Sequence, residues 1–159
     1  MAFESDPIAQ KLNDFVVSEE AWWWLVDFNE LTPVEQALIG VWELEQEVYN
    51  GGFMQYFYNS GERVPAMREI LQTIGANHAA SIFERAVAVV EPGMSWAELF
   101  SRASTLNVSS EENKTKLYDL DREFSKHLDD LNRSLFQYLS KHRDQLNAPE
   151  EFWAEATNR

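Results

Sequence analysis

An all-α fold, a single domain of about seven or eight helices, is what this chain predicts, on three observations. Apolar residues recur at alternating spacings of three and four, the period of one helical face. Capping residues, prolines and glycines divide those stripes into segments of helical length. No stretch alternates apolar and polar residues with the period of two expected of a half-buried strand.

Ser5-Asp6-Pro7 opens the first helix, with a capping oxygen ahead of a proline at the first helical position, and Ile8, Leu12 and Phe15 form its stripe. Ser18 predicts the start of a second, Glu19 to Phe28, with two acids in its first turn where the helix dipole favours them. Its Trp22, Trp23 and Trp24 would span about 200° of a helix, which predicts a central helix buried nearly all round or a tryptophan facing a partner. Thr32-Pro33-Val34-Glu35 is a capping box, and Val34, Ala37, Val41, Leu44 and Val48 give the buried face of a helix running to Tyr49. Asn50-Gly51-Gly52 stops it, and a short aromatic helix follows at 53–59. Further helices are expected at about 64–74, at 77–90 with Asn77 as cap, and at 95–105 from a second capping box, Ser95 to Glu98. Ser104 to Asn113 reads as a loop. Lys114 to Leu146 reads as one long helix whose polar face pairs Lys126 with Asp130 and Asp129 with Arg133. A last short helix after Pro149 carries Phe152 and Trp153.

The chain has 159 residues, enough to bury a core without staples, and a net charge of −14. Residues 1–50 hold 11 acids against the single base Lys11, whereas residues 101–159 hold 11 against 9. Such a field disfavours nucleic acid and anionic membranes as direct partners and favours basic ones. The absence of cysteine excludes disulfides, thiolate catalysis and sulfur-ligated zinc, and fits a reducing cytoplasm. The longest apolar run, Ala21 to Val26, is too short to span a bilayer. A soluble cytoplasmic protein is expected.

The segment 42–61 organises the rest. From Phe53 onward residues four apart match in type: Phe53 with Phe57, Met54 with Tyr58, Gln55 with Asn59. Asn50-Gly51-Gly52-Phe53, Gln55-Tyr56-Phe57 and Asn59-Ser60-Gly61 together resemble the signature of a bacterial domain-of-unknown-function family that includes a DNA-mimic protein. The resemblance covers about residues 18–135. It implies an all-helical fold, an acidic dimer, no enzymatic activity, and binding to a DNA-binding protein in place of DNA.

Glu35, Glu43 and Glu47 lie off the apolar stripe of their helix and should be solvated, with Glu43 and Glu47 one turn apart. Glu45 falls inside that stripe. An unpaired acid on a core face costs several kcal/mol or takes up a proton. The expected remedy is that Glu45 caps the start of the 53–59 helix, with Gln55 and Asn59 beside it. Glu123 and His127 have the four-residue spacing of two metal ligands but no visible third, so no metal or other cofactor is expected. No Walker loop, dinucleotide fingerprint, zinc-protease motif or nucleophile elbow occurs.

The expected function is a non-enzymatic, homodimeric acidic module that occupies the DNA-binding surface of a basic partner such as a transcription factor. Its candidate acidic surface is Glu19, Glu20, Asp27, Glu30, Glu35, Glu43 and Glu47. Asn50, Gly51, Gly52, Phe53, Gln55, Phe57 and Asn59, with Glu45, form the largely structural motif. The alternatives are an immunity-type inhibitor of a basic nuclease toxin, and a small ligand-binding or enzymatic domain centred on Glu45, Gln55 and Asn59.

Overall fold

The second and longest helix runs through the middle of the molecule, and the others are laid around it. The computed structural model describes residues 6–18, 22–107 and 109–154. Among them are eight α-helices, α1 (Pro7–Val16), α2 (Pro33–Ser60), α3 (Val64–Thr73), α4 (Asn77–Val90), α5 (Leu99–Asn107), α6 (Glu111–Ser125), α7 (Leu128–Lys141) and α8 (Glu150–Ala154), and no strand. Helix α2 packs against α1, α3, α5, α6 and α7, and α4 closes the far side against α3, α6 and α7.

Side-chain caps set the starts of three of these helices, α1, α2 and α6. Asp6 caps α1 by accepting from the Ile8 amide, with Pro7 at the first helical position. Thr32 does the same for α2, accepting from the Glu35 amide at 3.2 Å. The expected stripe of Val34, Ala37, Val41, Leu44 and Val48 is buried. It joins one continuous apolar cluster reaching from Leu12 to Trp153.

At Gly51 and Gly52 helix α2 loses helical backbone geometry, and Gly52 takes a left-handed φ of 74°. The chain then doubles back. Glu47 on the first limb meets Gln55 and Asn59 on the second, and Glu43 meets Ser60 and then Arg63. The reversal drives Phe53, Tyr56 and Phe57 into the core, where Phe53 packs against Phe83 and Phe124 and Phe57 against Trp96.

Several expected elements take another form. Residues 22–30 are not part of a helix: two single 3₁₀ turns, Trp23–Leu25 and Phe28–Glu30, are separated by extended Val26 and Asp27. The indole N–H groups of Trp23 and Trp24 both donate to the Val16 carbonyl, which folds this segment onto the end of α1. Trp23 alone of the three is buried; Trp22 and Trp24 remain exposed. The long C-terminal helix is two, because the chain turns at Lys126 and His127, where their amides bond back to Glu123 and Phe124. Arg133 pairs with Asp130 rather than Asp129. Helix α5 starts at Leu99, since the Ser95 amide donates to Ser101 and the Ser95–Glu98 segment forms turns. It extends to Asn107, and Ser110 caps α6, so helix occupies much of the expected 104–113 loop. Ala76 occupies the cap position of α4 and Asn77 is its first residue.

Gly52→Ala would place a Cβ against the Asp121 carboxylate on a left-handed backbone. We expect a loss of about 2–4 kcal/mol in urea unfolding, from strain plus steric displacement. An unfolding curve superimposable on the native one would refute this account of the reversal.

Candidate partner-binding surface

The polar residues of the Asn50–Gly61 motif face back across the reversal of α2. Gln55 Nε2 and Asn59 Nδ2 both donate to Glu47 Oε2, each at 2.9 Å. Ser60 Oγ donates to Glu43 Oε1 at 2.8 Å, and Arg63 Nε lies 2.5 Å from Glu43 Oε2. Desolvation raises the Glu43 pKa, with Arg63 and Ser60 working against it. Glu43 and Glu47 are thus half-buried clasps between the two limbs, not the solvated carboxylates their helical phase suggested.

The acid that caps the second limb is Asp121 of α6. Its Oδ1 accepts the Phe53 amide at 2.8 Å, meeting the positive end of the restarted helix. Burial pushes its pKa up to about 6, with the Phe53 hydrogen bond opposing. Glu45, expected in this role, faces the other way. It is 3% exposed, against the side-chain amide of Asn132 on α7, and burial raises its pKa to about 8 with Asn132 working against the shift. The gap beside it, lined by residues of α1, α2 and α7, measures about 10 Å³, room for a single water at most. Glu45, Gln55 and Asn59 are therefore not brought together.

Of the seven candidate surface acids, Glu19 and Glu20 lie outside the described residues. Asp27 and Glu30 are exposed on the turn before α2, Asp27 accepting from the Asn29 amide. Glu35 is only 7% exposed, so it too departs from the expected solvation. What draws the Asp27–Glu30 turn toward the reversal is Arg63, whose guanidinium sits 4.3 Å from the Phe28 ring centre while pairing with Glu43. Exposed Glu62 adjoins this group, at 3.0 Å from Arg102. Arg102 is itself buried, donating to the carbonyls of Tyr58 and Trp96, and a side chain at Gly61 would collide with it. Glu43 thus pairs with Arg63 and Glu62 with Arg102, while Asp27 and Glu30 flank Phe28 in the turn that Arg63 covers. The periodicity of α2 gave no sign of Asp121, Arg63 or Arg102, each of which comes from a different element. One cue was available: Arg63 is the first Lys or Arg after Lys11, following 51 residues that contain neither.

Residues 29–142 match the family model described as DMP19-like protein. The chain belongs to the DMP19-like family. The family is the expected one, which includes a DNA mimic, and the match extends from the Asp27–Glu30 turn through the end of α7, somewhat further along than the 18–135 expected. No curated protein and no solved structure matches the chain. Within this DMP19-like fold the motif residues are accounted for by the reversal: Gly52 and Gly61 give clearance to Asp121 and Arg102, Phe53 and Phe57 fill the core, and Gln55 and Asn59 hold Glu47.

Other chemical groupings are separate from this surface. Glu123 pairs with Arg85, while His127 leaves the helix and stacks on His78 with ring centres 4.6 Å apart. Among the described residues no three potential ligands gather as a metal site, and no helix is long and apolar enough to cross a membrane.

The burial of Glu45 has a consequence for pH dependence. Because its folded pKa of about 8 exceeds the ordinary 4.5, the folded state keeps a proton that the unfolded state releases. Its contribution is fully favourable below pH 4.5 and declines by roughly 1.4 kcal/mol per pH unit until about pH 8. Glu45→Gln, which imitates the protonated acid, should gain stability over the native protein progressively across that window. Urea unfolding at successive pH values checks this; parallel pH profiles for the two proteins would contradict it.

Proposed function

We propose that this protein is a non-enzymatic DNA mimic, working in the cytoplasm as a homodimer, whose exposed carboxylates occupy the DNA-binding surface of a basic partner such as a transcription factor. The observation that carries the reading is membership of a DNA-mimic family by a chain of net charge −14 with 11 acids and one base in its first 50 residues. Duplex DNA attracts proteins through closely spaced phosphates whose neutralisation releases counterions. Carboxylates held on turns anchored to a folded helical body present comparable charge to the same arginines and lysines, without the ordering cost of a disordered acidic tail.

The burial pattern divides the acids by role. Glu43, Glu45 and Glu47 hold the fold, so mimicry falls to Asp27, Glu30 and Glu62 beside the reversal, with Glu19 and Glu20 nearby in sequence. Asp27 and Glu30 have no ion pair among the described residues, which leaves their charge available.

The test is capture of partners from the native lysate by the full chain, at low and high salt, with and without competing duplex DNA. We expect a DNA-binding protein that salt and DNA both displace. With that partner purified, the Asp27→Asn, Glu30→Gln double variant should bind roughly tenfold more weakly and with a shallower salt dependence, while Glu45→Gln binds as the native protein does. Recovery of a nuclease toxin would instead assign the protein as an immunity-type inhibitor. Partners indifferent to both salt and DNA would overturn mimicry.

A further inference from the structure

A pocket of about 280 Å³ lies between the end of α1, the tryptophan turn, the first turn of α2 and the Arg143–Gln145 turn. Phe15, Trp22 and Trp23 contribute its rings, and Glu35, Asp144 and Asn147 much of its polar lining. Apart from Glu35, every described residue lining it falls outside the 29–142 stretch matched by the family model, so the pocket is built largely by the flanks of this chain.

Three features restrict what it can take. Glu35 is 7% exposed and its Oε2 has no hydrogen-bond partner among the described residues, an arrangement that is costly unless something fills it. Among the described residues no Lys, Arg or His lines the pocket, so none of them neutralises Glu35 or Asp144 within it. The Trp23 indole N–H is already given to Val16, and Phe15 packs edge-on against Trp23 with centres 5.3 Å apart, so these two rings offer aromatic surface and no donor, the neutral side chains of Ser18, Gln145 and Asn147 completing the polar lining. An electron-rich wall beside an unpaired carboxylate suits a cation, and among cations a planar one that both stacks on rings and presents forked N–H donors. The volume is at the low end for whole small-molecule ligands and is closer to a single long side chain. The rim is accessible, with Trp22 44% exposed and Asp144 and Asn147 at the surface.

We propose that this pocket is a guanidinium-binding site, in which the planar group stacks against the aromatic wall and donates to Glu35, with Asp144 at the mouth. Two sources share this chemistry: an arginine side chain presented by another protein, and a free guanidino compound. The assignment does not depend on DNA mimicry, since the pocket is formed by other residues than Asp27, Glu30 and Glu62.

The experiment follows the tryptophan indole N–H resonances of the full chain by NMR during titration with N-acetyl-arginine amide, its neutral urea isostere N-acetyl-citrulline amide, and agmatine. The arginine amide should give saturable shifts centred on Trp22 and Trp23, and the citrulline amide none. Preference for the arginine amide over agmatine assigns the site to a protein side chain, and the reverse preference to a free compound; either supports the site. Glu35→Gln should weaken binding at least tenfold. Trp22→Ala, at a half-exposed position that spares the core, should weaken it several-fold, and Glu151→Gln should leave it unchanged, with thermal unfolding confirming that each variant is folded. Equal shifts from arginine and citrulline amides, absence of saturation, or undiminished binding by both Glu35→Gln and Trp22→Ala would overturn the proposal.

Discussion

A helix that breaks and restarts within two residues must find acceptors for a second set of free amides and a counter-charge for a second dipole. In α2 that requirement is met by Asp121, a side chain 68 positions from the amide it accepts. The bond ties α6 to the reversal, and with it Leu117, Leu120 and Phe124, which seal the aromatic core from the far side. Desolvation makes this an uncomfortable place for a carboxylate, and the Phe53 amide and the helix end are what offset that cost. Glycine at position 52 follows from the same contact, since any Cβ would occupy the space of the carboxylate.

The reversal also sorts the acids of the N-terminal third by function. On a straight helix Glu43 and Glu47 would share one solvated face, with Glu45 on the opposite, core-facing side. Once the second limb folds back, Glu43 is matched with Arg63 and Ser60 and Glu47 with two amides, while Glu45, facing away from the reversal, lies against Asn132. Each is then a structural group, and none offers an unshared charge to a partner. Exposed negative charge shifts to the turn before the helix and to Glu62 after it. Salt-bridged Arg63 lies between these two, and its contact with Phe28 fixes the turn in place.

What the sequence made legible was what depends on local chemistry: the caps of α1 and α2, the buried stripe of α2, and the glycine break. Glu45 was legible as an acid on a core face, because its phase on the helix settles that. Its partner was not, because periodicity says which face is buried and nothing about which element covers it. A carboxylate cap for the second limb was expected and exists, but it comes from α6, beyond the reach of any local pattern. The tryptophan segment misled for a different reason. Its helical signals were real, yet two indole N–H groups bonding to one carbonyl stabilise a tight turn, and side-chain hydrogen bonds of that kind outweigh propensity in so short a stretch. Likewise the apolar spacing ran on through Lys126 and His127 because the two helices on either side bury faces into the same core, which conceals the turn between them.

Under the mimicry reading, the few bases in this region become intelligible. A body of net charge −14 repels itself, and carboxylates crowded to imitate phosphates repel most. Arg63 and Arg102 are placed behind that surface rather than on it: one sandwiched between Glu43 and Phe28, the other buried against two backbone carbonyls with only its contact to Glu62 reaching outward. Set there, they relieve repulsion within the fold while competing little with the arginines and lysines of a partner. The same disposition explains why Gly61 cannot carry a side chain: the space is taken by a guanidinium that holds the second limb of α2 to α5. Charge balance inside the molecule and charge excess outside it are thus arranged by one turn of chain, and the glycines of the motif are what let the backbone approach closely enough to do both.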